Sequence, residues 1–249
     1  MLLDDFTPEQ FSKKPAVLKA LNKPRSPSSV LNYMCGCDIN NPIDRESLFY
    51  DETVEPLLGI WFRSGTALDD ICKPFSSVIR ELKADPQTLV EDKWFTIEGQ
   101  VARVLLADQL SRSCFRGTAE AFSYDCIGRE LVRDLVSKEK VEQTLKLPPA
   151  LLYLLPWALA HSEEIVDLVR ACEIIDMAIG AYPDFSLFEG RNKKAVDQHR
   201  QVLEKFGRYP QRNLEFGRAN TPDEEKWLND KENLPIWAGG KLSFDQKIK

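Results

Sequence analysis

Histidine is scarce, two in 249 residues, and the six cysteines (Cys35, Cys37, Cys72, Cys114, Cys126, Cys172) form none of the paired C-x-x-C knuckles of a zinc site. Cys35-Gly36-Cys37 is too tight for a usual ligand pair, so all six read as reduced, mostly buried thiols. No helical His/carboxylate metal motif is present, and neither metal nor cofactor is expected. No apolar run reaches the ~20 residues that a bilayer span needs. The opening MLLDDFTPEQ lacks the basic and apolar regions of a signal peptide, so the expectation is a soluble intracellular protein, cytoplasmic or organellar. Basic residues are outnumbered, 33 to 39, for a net charge of −6, which removes any global attraction to nucleic acid or anionic membrane. Any anion site must be local. Sustained period-2 alternation is also missing, which argues against a sheet.

What is present is helical periodicity over a chain with 43% hydrophobic residues, enough for one sizeable core. Ile97, Val101, Val104 and Leu105 repeat on one helical face behind a Thr96 cap, in a segment expected as a helix over 97–112. Other helices are expected over 51–63, over 66–85 despite Pro74, and from 119 to about 138. The very apolar ALLYLLPWALA (150–160) precedes a helix begun by Ser162 and stopped near Gly180 and Pro183. One from about Lys193 ends at Gly207, and a last helix over 222–230 starts with the capping box Thr221-Pro222-Asp223-Glu224. The fold class is all-α, a single domain over 26–230 with roughly nine helices, an N-terminal arm at 1–25 and a polar C-terminal tail at 231–249.

Charge interrupts this pattern in three places. The next members of the Ile97 face are Asp108 and Arg112, and ionised groups at core positions are costly unless each is hydrogen-bonded. His161-Ser162-Glu163 follows the apolar run, and Arg208 to Arg218 follows Gly207. The five arginines Arg112, Arg116, Arg208, Arg212 and Arg218 lie in two short windows of an acidic chain, and converging guanidiniums would form an anion-binding floor. The opposing expectation is internal pairing with Asp108, Asp125 and Glu163. Asp108, Gln109, Arg112, Arg116, His199, Arg208, Arg212 and Arg218 are the candidate ligand-binding residues, and His161 with Glu163 the candidate acid and base. Ser162 and Cys114 qualify as nucleophiles only with a base beside them. Trp61, Trp94 and the tyrosines and phenylalanines read as core.

Three stretches, LLADQLSRSCFRGTAEAFSYD (105–125), LPWALAHSEE (155–164) and HRQVLEKFGRYPQRNLEFGRANTPDEE (199–225), resemble a family known as DUF924, a domain of unknown function, with the likeness running from about Val30 to Leu228. The resemblance implies a TPR-like stack of antiparallel helices with a shared polar centre. Against the family pattern, this chain has NYMCG (32–36) in place of an aromatic-rich FWFG, Ser111 and Ser113 in place of Pro and Asn, and Gln211 in place of His.

Three functions follow from these residues. The first is a helical binding protein whose arginine- and histidine-lined pocket holds an anionic small molecule or a peptide carboxylate. The second is a hydrolase or lyase using His161 and Glu163. The third is a scaffold whose ion pairs are purely structural. Whether the chain is an enzyme, and its oligomeric state, stay open at this point.

Overall fold

The computed structural model describes residues 7–83, 89 and 91–242; the last residues of the helix expected over 66–85 and the end of the tail lie outside them. Capping chemistry sets most helix starts. Thr7 accepts from Gln10 N to open α1 (Pro8–Ser12), α2 (Pro15–Asn22) begins on a proline, and Ser26 caps α3 (Pro27–Cys35). Gly36, at φ 64°, then turns the chain out of α3 in a conformation only glycine adopts readily. Asn41 caps α4 (Pro42–Ser47), and α5 (Asp51–Arg63) has its acids at the front and Arg63 in its last turn, as the helix dipole favours.

The helix expected over 66–85 is shorter than its periodicity suggests. Pro74 starts a 3-10 turn, Lys73–Phe75, and only α6 (Ser76–Glu81) is α-helical, because proline fits a first turn far better than a helix interior. Thr96 caps α7 (Ile97–Leu105) as expected, accepting from Gly99 N at 3.0 Å. The helix then widens into one π-helical stretch, Leu106–Leu110, before α8 (Ser111–Cys114). Residues 119–122 form a 3-10 turn, and α9 (Asp125–Leu135), α10 (Val141–Thr144) and α11 (Pro149–Ala160) follow. α12 (Ile165–Ala181) starts two residues later than a Ser162 cap would place it. The Ser162 hydroxyl instead accepts from Glu164 N and from Arg129. A second π-helical stretch, Phe188–Lys193, leads into α13 (Lys194–Phe206), and the Thr221 capping box opens α14 (Pro222–Asn229).

All twelve residues of α11 are buried, so it is the axis of the core. A helix apolar on every side belongs inside a shell of others, and α7, α9, α12 and α13 pack around it. Neighbours in sequence also pack together, α2 on α3 and α12 on α13. The architecture is all-helical, and among the described residues β structure is limited to one bridge, Pro235 to Leu242. It is compatible with a TPR-like stack.

Two segments expected at the periphery are integral. Phe11, Val17 and Ala20 from the N-terminal arm are buried in the main core. Residues 231–242 close on themselves through Leu242 N to Leu234 O (2.9 Å) and Lys241 N to Lys231 O (2.9 Å), and Leu234 is fully buried. Among the described residues no helix is long and apolar enough to cross a membrane.

Candidate functional site

The C-terminus of α11 delivers His161 to the π-helical turn after α7, which carries Asp108. A π turn holds an extra residue and shifts the side-chain register, and such turns are frequent at functional sites. Asp108 is 1% exposed, and its Oδ1 lies 2.7 Å from His161 Nδ1. Gln109 Nε2 donates to the other carboxylate oxygen at 2.6 Å, and Arg112 reaches Oδ1 at 3.5 Å. Burial raises the Asp108 carboxyl, but His161, Arg112 and Gln109 together outweigh it and hold the group down at about 2. An ionised Asp108 fixes the imidazole with Nδ1–H toward it, and among the described residues Nε2 has no hydrogen-bond partner.

His199, one helix away, is buried in the same aromatic cluster. Its ring lies 5.9 Å from that of His161, stacks on Trp237 at 4.0 Å, and donates from Nδ1 to Ala195 O at 2.8 Å. Burial, reinforced by the nearby His161, pushes the His199 imidazole down to about 3, so at neutral pH its Nε2 can only accept.

The arginines divide. Arg208 forks onto Glu224 (2.6 and 2.8 Å) and Arg218 onto Glu163 (2.7 and 2.9 Å), both outside the lining described below. Glu163 also accepts from Tyr209 N at 2.9 Å, so it anchors a loop, and the acid against His161 is Asp108. Arg116 forks onto Asp69 (2.7 and 3.1 Å). Arg112 pairs with Asp125 at 2.9 Å and donates to Ala121 O at 3.0 Å. Arg212 is 6% exposed, donates from Nη1 to His161 O at 2.8 Å, and reaches Asp125 only at 3.6 Å. Arg112 and Arg212 both lie over the Phe122 ring, at 4.8 and 5.0 Å.

These groups surround a cavity of about 230 Å³. Arg112, Arg116, Arg212, His161 and His199 line it, so five of the candidates drawn from separate stretches of sequence meet there. Asp108 and Gln109 stand behind His161. Glu215 is the single carboxylate in the lining, against three guanidiniums. Gln211 lines the cavity too, with its Oε1 buried and without a hydrogen-bond partner among the described residues. A second cavity, about 160 Å³, lies across the wall formed by His161, His199 and Trp237, among Phe62, Tyr153 and Trp157. The nucleophile candidates fall away on contact: Ser162 accepts two hydrogen bonds, and Cys114 sits with its sulfur 3.3 Å from that of Cys72. Among the described residues no group of three or more His, Cys, Asp or Glu is placed to hold a metal ion.

A family model described as "Bacterial protein of unknown function (DUF924)" matches residues 48–232. The chain belongs to the DUF924 family. The match takes in α5 to α14 and every residue of the cavity except Trp237. A solved structure of a protein of unknown function, ATU0120 from Agrobacterium tumefaciens, is similar at 25% identity and a TM-score of 0.56, covering 68% of this chain and 88% of that one. Comparison with curated proteins finds no match.

Sequence reading of this DUF924 chain misses Trp237, Phe122, Tyr209 and Arg63 as site residues. Tyr209 stands inside the arginine-rich window and was legible as a neighbour. Trp237 carries no such signal beyond being an aromatic residue in a polar tail.

Proposed function

We propose that the 230 Å³ cavity binds the anionic group of a small molecule or a peptide carboxylate. Arg212 carries the reading. It is more than nine-tenths buried, yet among the described residues its only hydrogen bond is to the His161 carbonyl, and its nearest carboxylate is held by Arg112. The contrast between the two guanidiniums is informative. Burial works against both charges, but Asp125 and Asp108 outweigh it for Arg112, whereas Arg212 is pushed down to about 10 by burial and by Arg112 itself. A buried cation with free donors and a repelling neighbour favours an anion in the adjoining space. Inorganic phosphate or malonate, against chloride at matched ionic strength, is expected to raise the melting temperature of the wild type by linkage and to leave Arg212→Met unmoved. An anion-insensitive wild type would overturn the reading.

A hydrolase or lyase is the second reading, favoured by the 2.7 Å contact between His161 and a buried carboxylate. Here His161 is the general base, oriented by Asp108 in the place first given to Glu163, and the arginines hold the substrate's anionic group. Turnover of p-nitrophenyl phosphate or an activated carboxylate ester, lost in both His161→Asn and Asp108→Asn, supports it. Turnover that survives both changes removes the base from the mechanism.

A further inference from the structure

The neighbouring 160 Å³ cavity has no part in the anion reading so far, and its chemistry differs from that of the arginine-lined one. Leu58, Phe62, Tyr153, Trp157 and Ile236 supply half of its lining residues. The three aromatic rings lie close together, Phe62 at 4.8 Å from Trp157 and 6.3 Å from Tyr153, so one part of the wall is an aromatic cluster. An apolar cavity of about 150 Å³ is large enough to take benzene. This one is the size of a single six-membered ring.

Position ties the two cavities together. His161, His199 and Trp237 belong to the lining of both, so these three side chains stand between the arginine side and the aromatic side. Each cavity alone falls below the roughly 300 Å³ at which ligand pockets begin, and the pair exceeds it. The rim of the aromatic cavity is cationic as well. Arg191 there pairs with Glu55 at 2.6 Å, and the exposed Arg63 has no acid partner among the described residues, so the approach from this side also suits a negatively charged molecule.

We infer that the two cavities are halves of one site and that its ligand is an aryl-bearing anion: a planar aromatic ring seated among Phe62, Tyr153 and Trp157, joined by a short link to a carboxylate or phosphate that meets Arg212. The inference rests on the anion reading above and adds the ring. In this arrangement Trp237, stacked on His199 at 4.0 Å, stands where the link passes, which gives the C-terminal segment a role in recognition.

Calorimetric titration of the full chain with inorganic phosphate and with phenyl phosphate tests the ring separately from the anion. Phenyl phosphate is expected to bind at least about tenfold more tightly, a difference of about 1.4 kcal/mol. Ile236 is 41% exposed at the mouth of the aromatic cavity, so Ile236→Trp can fill the space without disturbing the core. That variant is expected to keep the phosphate affinity and lose the phenyl gain. Equal wild-type affinities for the two ligands, or a phenyl gain that survives Ile236→Trp, would overturn the inference while leaving the anion reading intact. Absence of any phosphate response overturns the anion reading, and the aryl-anion inference with it.

Discussion

Arg112 and Arg212 share Asp125 and the face of Phe122, yet replacing each with methionine should have very different consequences. Methionine keeps much of the aliphatic bulk and deletes the charge. Arg112→Met removes the partner that holds Asp125 at 2.9 Å, an Asp108 contact and the hydrogen bond to Ala121 O, leaving Asp125, 15% exposed, with only Arg212 at 3.6 Å. Breaking a buried pair from one side costs about 3–5 kcal/mol. For a chain of this size, about 2–4 °C per kcal/mol predicts a melting temperature lower by roughly 6–20 °C. Arg212→Met strands no carboxylate, because Asp125 keeps Arg112. It loses a charged hydrogen bond worth about 1.5–3 kcal/mol, and relief of the repulsion from Arg112 and of the burial penalty offsets much of that. A fall of no more than about 4 °C is expected. Melting curves at pH 7 in chloride decide the matter. If Arg212→Met is as damaging as Arg112→Met, Arg212 is a fully paired structural cation and not an anion-binding one.

With only two histidines, ring proton spectra can follow each imidazole separately. The His199 ring should not titrate between pH 8 and 5, because its folded value is depressed to about 3. The unfolded chain takes up that proton near pH 6.5, so stability is lost as pH falls below 6.5, by at most about 1.4 kcal/mol per pH unit. His199→Gln should remove that slope, and a His199 midpoint near 6.5 in the folded protein would refute the assignment. Gly99→Ala should destabilise by about 1–3 kcal/mol in urea unfolding, since an added Cβ would come within 2.1 Å of Lys93 O and 2.7 Å of the Trp94 backbone. A neutral effect there would mean that the 3-10 turn Asp92–Trp94 is free to move off α7.

The all-helical class, the bounds of α5 and the caps at Thr96 and Thr221 were legible in the sequence, because capping and helical periodicity are local chemistry carried by residues a few positions apart. The polar interruption at Asp108 and Arg112 was legible too, as charge on an apolar face. Its partners were not. Which acid meets His161 depended on a π turn that no local propensity announces, and Asp108 took the place expected for Glu163, whose carboxylate is forked by Arg218 instead. Internal pairing with Asp108, Asp125 and Glu163 describes Arg112 and Arg218, whereas Arg116 and Arg208 pair with Asp69 and Glu224. Only packing distinguished Arg212, whose burial under Phe122 and Tyr209 is a property of contacts between distant segments. The segments at the two ends read as polar or mixed stretches, yet Phe11 and Leu234 are fully buried and Trp237 covers His199. A single apolar side chain gives no periodicity, so its burial is decided by the tertiary structure alone.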